Sequence, residues 1–235
     1  MKIGLVGNQN SGKTTLFNCL TGMNAKIGNW PGVTIEKKSG TIKGTNHELI
    51  DLPGIYSISP YSMEEEVSRK FIFEEKPDVI INIVDATSIE RSLYLTTQLI
   101  ELDSNVIVAL NMADILEKKG LKIDDKKLSN KLGVPVVRIS ALKETGIDEL
   151  IKEIEKKTPK QKVNVFDENI EKAADEISKM LKQDVIDKRF VAINLLEDDN
   201  RFNKYKTDSM SKIIEDLEKF FDTYMEEEIA TERYK

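Results

Sequence analysis

The chemistry most easily read from this sequence lies near its start, in Gly7-Asn8-Gln9-Asn10-Ser11-Gly12-Lys13-Thr14. Two glycines with four residues between them, then Lys and a hydroxyl side chain, let backbone N–H groups close around a chain of phosphates. Lys13 would neutralise β- and γ-phosphate oxygens, and the Thr14 hydroxyl would ligate Mg²⁺, with Thr15 beside it in the same phosphate-facing set. The motif follows an apolar run at 2–6 and opens a helical stretch at 13–20, the setting in which it means a phosphate cradle.

Three further short motifs follow in order, each at the end of an apolar run. Asp51-Leu52-Pro53-Gly54 places a carboxylate where it can hold a Mg²⁺-bound water, and a glycine N–H near a γ-phosphate. Asn111-Met112-Ala113-Asp114 offers a carboxylate that accepts both N1–H and N2–H₂ of guanine. Adenine would leave that carboxylate unpaired, and a site built on hydrogen bonds rejects the analogue lacking them. Ser140-Ala141-Leu142 is placed to present a backbone N–H to guanine O6. Any one of these is a turn by chance; four in sequence at strand ends define one edge of an open α/β sheet, where ligands bind.

These loops resemble the guanine-nucleotide motifs of translation-factor-like small GTPases over residues 1 to about 157. Asn29-Trp30-Pro31-Gly32-Val33-Thr34 then holds the switch I threonine. The resemblance has Thr34 ligating Mg²⁺ through its hydroxyl and sensing the γ-phosphate through its N–H. Two departures carry mechanism. Met112 stands where a Lys usually covers the guanine ring, which implies looser nucleotide binding. Ile55 stands where Ras-like proteins place the Gln that orients water, and Ile cannot hydrogen-bond water. Asn10 together with an apolar residue 55 resembles the potassium-activated group, in which the Asn oxygen holds K⁺ beside the phosphates. The expected catalytic set is therefore Lys13, Thr34, Gly54 and Asn10, with Thr14, Thr34 and (through water) Asp51 on Mg²⁺.

Taken together, GNQNSGKTTLFN, NWPGVT, DLPGIYSISPYSMEEEVSR and NMAD look like the cytosolic region of the ferrous iron transport protein B (FeoB) family. That resemblance implies a GTP-hydrolysing module on the cytoplasmic side of a cell membrane, coupled to a membrane-embedded channel domain of the same full-length protein. Self-association is left open. Two other readings stand beside it: a slow GTP-regulated conformational switch, favoured by Ile55, and a ribosome- or tRNA-associated K⁺-activated GTPase. The run Glu64-Glu65-Glu66 invites an iron reading, but an acidic first turn suits a helix N-terminus without any metal.

The elements that must position these residues follow from the pattern. Apolar runs at 2–6, 41–43, 47–51, 79–85, 106–111 and 134–139 alternate with helical stretches at 13–20, 64–75, 90–102, 124–132 and 147–157. Ser62 with Glu65, and Thr87 with Glu90, have capping-box spacing. Strand alternating with helix predicts an α/β P-loop fold of the Ras-like kind, a mostly parallel sheet with helices on both faces. A polar break at 158–162 divides a nucleotide domain, 1–158, from a small all-α domain, 159–235. Helical periodicity there gathers Ile170, Ala173, Ala174, Ile177, Met180 and Leu181 on one face, and Met210, Ile213, Ile214, Leu217, Phe220, Phe221 and Tyr224 on another. The family resemblance assigns that domain to restraint of nucleotide release.

Composition agrees. Hydrophobic residues at 40% and charged residues at 32% suit a soluble globular protein, and the net charge of −6 lies mostly in the helical domain. An acidic domain lacks the clustered positive charge that nucleic acid demands, so no nucleic-acid partner is expected. One cysteine and one histidine exclude a disulfide framework and a Cys/His metal cluster. Cys19 is expected as a small core residue and His47 on a surface strand.

Overall fold

The computed structural model describes residues 1–58, 62–102, 104–118, 120–156, 158, 165–185 and 187–234. Three parts of the sequence expectations lie outside them: Ser59 to Tyr61 of the 51–69 signature, Lys157 at the last helix end, and 159–162 of the polar break. The chain divides into two compact units, Met1–Ile100 with Ser104–Lys162, and Glu101–Asp103 with Val163–Lys235.

The first unit is built on seven strands: β1 Lys2–Gly7, β2 Ala25–Asn29, β3 Glu36–Thr41, β4 Glu48–Asp51, β5 Val79–Asp85, β6 Asn105–Asn111 and β7 Val136–Arg138. They run in the order β2-β3-β4-β1-β5-β6-β7. β4, β1, β5, β6 and β7 are parallel, while β2 and β3 are joined antiparallel at one edge. The inner strands are buried on both faces, which is why β5 reads as an unbroken Val/Ile run interrupted only by Asn82. Asn82 is accommodated because its amide donates to the Thr96 hydroxyl at 2.6 Å.

Helices α1 Lys13–Thr21, α2 Met63–Lys70, α3 Ile89–Ile100, α4 Ala113–Lys118, α5 Asp125–Leu132 and α6 Ile147–Lys156 connect the strands. The core joins Leu16, Phe17 and Leu20 of α1 and Leu150 and Ile154 of α6 to Ile3, Leu5, Ile81 and Ile107 of the sheet. At about 1.5–3 kcal/mol for each large apolar side chain fully buried, this cluster holds the strand ends in register. The Ser62–Glu65 capping box forms as the spacing predicts. The expected Thr87–Glu90 box is replaced: Asp85 accepts from the Thr87 N–H at 2.8 Å and starts a 3₁₀ turn that runs into α3. The stretch expected as helix to residue 75 changes character at Phe71, continuing as a π-helical turn, Phe71–Glu75. β3 lies earlier than the expected 41–43 strand, and neither β2 nor α4 was anticipated.

The second unit holds α7 Glu168–Met180, α8 Lys188–Leu196, a 3₁₀ segment Asn200–Tyr205, α9 Asp208–Phe221 and α10 Met225–Tyr234. Ile170, Ala173, Ala174 and Ile177 face its core as periodicity predicts, with Phe190, Ile193, Phe202, Met210 and Ile214. Met180, Phe220 and Tyr224 do not; they are exposed, and Met225 and Ile229 of α10 are buried instead. Two ion clusters tie the helices. Glu171 receives both guanidinium nitrogens of Arg189 at 2.8 and 2.9 Å. Arg233, fully buried, sits on Glu101 at 2.5 Å and Glu197 at 3.0 Å.

Candidate functional site

β1 lies at the switch point of the sheet, where successive connections turn to opposite sides, and the loops above its carboxyl end gather the four motifs. The loop from Asn8 to Gly12 is shaped by its glycines. A Cβ on Gly7 would fall 2.4 Å from the Ile83 methyl and 2.8 Å from the Ile83 carbonyl, so β5 admits no side chain there. Gly12 has φ +91°, left-handed backbone, and a Cβ on it would meet the Asn111 amide at 2.4 Å. Ser11 is buried and its hydroxyl donates to the Asn8 carbonyl at 2.8 Å, drawing the loop into a ring. Asn8 is buried as well, its amide donating to the Arg91 carbonyl at 3.3 Å. Both are therefore loop-builders. Gln9, Asn10, Thr14 and Thr15 are exposed at the mouth, and Asn10 takes φ +64°.

Lys13 opens α1 and reaches across to β4, where its ammonium lies 2.5 Å from Asp51. Burial pushes the Asp51 carboxyl above the usual range, and the Lys13 ammonium opposes that rise. Past Asp51 the chain returns to the loop: Ile55 donates its N–H to the Gly7 carbonyl at 3.1 Å, with its side chain wholly buried. Residue 55 is thus a core plug whose side chain does not face solvent. Gly54 packs on Gln9. Beyond it, Ser57 and Ile58 both donate to the Gln98 side-chain carbonyl, at 3.0 and 2.9 Å, which fixes the segment after Gly54 on α3.

Thr34 is exposed in the loop joining β2 to β3, closed by the Trp30 N–H donating to the Ile35 carbonyl at 2.9 Å. Trp30 anchors that loop. Only 5% exposed, it packs edge-on against Phe71, centroids 5.7 Å apart, with the Lys37 ammonium 4.5 Å from its ring centre.

The part of the rim expected to take guanine is built on Asn111 at the end of β6. Its amide donates to the Ser11 carbonyl at 2.9 Å and its oxygen accepts the Ala141 N–H at 3.0 Å. Asn111 therefore staples the phosphate loop to the Ser140 loop. Ser140 pairs with Thr145 across a short bridge, shaping the loop between them, in which Leu142 is 86% exposed. The Cys19 thiol donates to the Ala141 carbonyl at 3.1 Å, so that cysteine supports the loop as well as α1. Met112 has φ +64° and turns the chain into α4, presenting Asp114 in the first turn. The Lys143 ammonium lies 2.5 Å from Asp114, and that hydrogen bond holds the Asp114 carboxyl below the usual range.

Of the residues expected at the site, Lys13 meets Asp51, and Asn111 links the phosphate loop at Ser11 to Ala141, while Thr34 is carried on the β2–β3 loop. Sequence reasoning missed Lys143, Gln98 and the linking role of Asn111. Lys143 directly follows the Ser140-Ala141-Leu142 motif, so its adjacency was a signal. Gln98, in mid-helix, gave none.

Donor chemistry suits the expected ions. Thr14 directly, and Asp51 through a water, could offer the oxygen ligands Mg²⁺ takes, and the exposed Asn10 amide could offer a neutral oxygen to K⁺. Among the described residues no group of three or more His, Cys, Asp or Glu is arranged to hold a metal. No described helix is long and apolar enough to cross a membrane.

Phosphate loop, guanine loop and sheet order define a GTP-binding P-loop domain, followed in sequence by a helical domain. Residues 1–154 match the family described as "Ferrous iron transport protein B", and residues 166–235 match "FeoB cytosolic helical domain". The chain belongs to the FeoB family. It is 41% identical over 209 residues to the Fe(2+) transporter FeoB of Escherichia coli, covering 85% of this chain and 27% of that protein. It spans about a quarter of the length of such relatives. Among solved structures, a GDP-bound variant of the S. thermophilus FeoB G-domain superposes with a TM-score of 0.93 at 44% identity, covering 100% of this chain and 95% of that one. The S. thermophilus NFeoB structure bound to GDP.AlF4- and K+ gives 0.89 at 44% identity, covering 100% and 96%.

Proposed function

We propose that this chain binds GTP with Mg²⁺ and hydrolyses it to GDP and phosphate, stimulated by K⁺. Its nucleotide state would govern ferrous iron uptake through the membrane-embedded remainder of a full-length protein, from that protein's cytoplasmic side. The observation that carries the reading is Asn111 joining the phosphate loop to the Ser140 loop, beside the ion pairs of Lys13 with Asp51 and of Lys143 with Asp114.

Lys13 exchanges Asp51 for β- and γ-phosphate oxygens, where its charge stabilises the transition state. Asp51 and Thr14, with Thr34, would hold Mg²⁺, which supplies further charge neutralisation at the same oxygens. Asn10 would hold K⁺, in the place an arginine finger takes elsewhere; the GDP.AlF4- and K+ complex of the S. thermophilus relative supports this. Ile55 is a core residue, so the attacking water is oriented by main-chain groups of Gly54 and of the Thr34 loop. At the base, Asp114 takes N1–H and N2–H₂, and O6 takes an N–H of the 141–142 backbone. Hydrolysis then releases Thr34 and Gly54 from the γ-phosphate.

GTP turnover by this chain should be several-fold faster in K⁺ than in Na⁺, with ATP turned over negligibly. Equal rates in the two salts, together with normal turnover by Asn10→Ala, would refute the potassium mechanism. The buried Ile55 also favours a slow conformational switch; single-turnover hydrolysis as slow as the nucleotide's spontaneous dissociation would favour that reading.

A further inference from the structure

The carboxylate that selects guanine carries a counter-ion of its own. Lys143 and Asp114 come from different loops, the first between Ser140 and Thr145, the second at the start of α4, and their charged atoms meet at 2.5 Å. Guanine brings N1–H and N2–H₂ to that same carboxylate. These donors carry positive charge, as the ammonium does, and all would converge on two oxygens. A carboxylate has lone pairs to spare, but desolvated donors set beside an ammonium repel it. Met112 adds a second consideration: the residue that usually brings a cation to this part of the site is a thioether here, so Lys143 is the cation in direct contact with Asp114.

We propose that Lys143 is a gate on the guanine pocket, competing with the base for Asp114 and swinging away with its loop when nucleotide enters. The proposal rests on Asp114 being the guanine-selecting residue. Only the open fraction of molecules is competent to bind, so the gate lowers the association rate and the affinity by that fraction and leaves dissociation unchanged. Lys143 and Asp114 are both partly exposed, with side chains 51% and 28% accessible. Pairs of that kind are weak, which sets the effect at about two- to five-fold. Salt screens the pair, so the effect fades as ionic strength rises.

The test is stopped-flow association and dissociation of a fluorescent GDP analogue with the wild-type chain and with Lys143→Met and Lys143→Arg. Lys143→Met should associate about two- to five-fold faster at low salt with an unchanged dissociation rate, and the advantage should vanish near 0.5 M salt. Lys143→Arg, which keeps the charge, should behave as wild type. Faster dissociation of Lys143→Met would mean that the lysine stays and holds the base, overturning the gate; so would an unchanged association rate. An Asp114→Ala arm separates the two levels. If that variant keeps its preference for GDP over ADP, the guanine reading itself fails. If the preference is lost while Lys143→Met binds as wild type, only the gate fails.

Discussion

Lys13 and Asp114, the charged residues to which we assign nucleotide recognition, each have a protein partner, Asp51 and Lys143. Binding therefore exchanges ion pairs and creates no new charge, so affinity depends on how well the nucleotide outcompetes those partners. Asn111 and Asp114 stand near each other in sequence but should fail differently. Asn111→Ala removes a staple from both loops and should weaken GDP, IDP and XDP alike, by about tenfold or more given two buried hydrogen bonds lost. Asp114→Asn should instead invert preference toward XDP, because an amide N–H₂ matches the carbonyl xanthine carries at C2; competition binding with the three diphosphates distinguishes them. Ile55 answers a separate question. Restoring the Ras-like residue by Ile55→Gln should not raise turnover, since that side chain is wholly buried, and should destabilise the chain by about 2–4 kcal/mol in urea unfolding.

Among the elements, those legible in sequence are the ones whose residues answer to one local rule. β5 and β6 are Val/Ile runs because both faces are covered, and Ser62 with Glu65 is a self-contained cap. β2 was invisible for the opposite reason: Ala25–Asn29 is largely exposed and is a strand only because β3 pairs with it across the Thr34 loop. Phe220 and Tyr224 were misread because periodicity marks an apolar stripe without saying where its partner ends; α10 covers its part of the core with Met225 and Ile229. At the site, the four motifs were readable as loops, whereas Gln98 and Lys143 act through partners brought close only by folding. Trp30 on Phe71 is such a contact between elements, joining the β2–β3 loop to the turn that extends α2. Phe71→Ala should loosen that loop. Because Trp30 is the sole tryptophan, its emission should shift red and become quenchable by acrylamide, and an unshifted spectrum would show that the loop is held by other contacts.

For the molecule as a whole, a buried charge cluster belongs to the second unit. Arg233, Glu101 and Glu197 would together bury a net negative charge if both carboxylates were ionised, so retaining one proton is favourable. Glu101 is the more deeply buried of the two; burial lifts its carboxyl to about 7, with Glu197 adding to the rise and Arg233 and Arg189 opposing it. Its folded value lies above the 4.5 of an ordinary glutamate, so the protonated form is the one folding favours. The stabilisation is complete below that unfolded value and is lost as pH climbs through about 7. Thermal melts of the wild-type chain should therefore fall between pH 5.5 and 8, and Glu101→Gln, fixed in the neutral form, should flatten that decline while costing little at pH 5.5. Arg233→Met should behave differently. It leaves two carboxylates facing each other in an apolar setting and should cost about 3–5 kcal/mol at pH 8, with partial recovery on acidification as both take up protons. A pH-independent loss in Arg233→Met would mean that the guanidinium acts there through packing on Phe166, which it also covers at 5.1 Å, and that its charge is incidental.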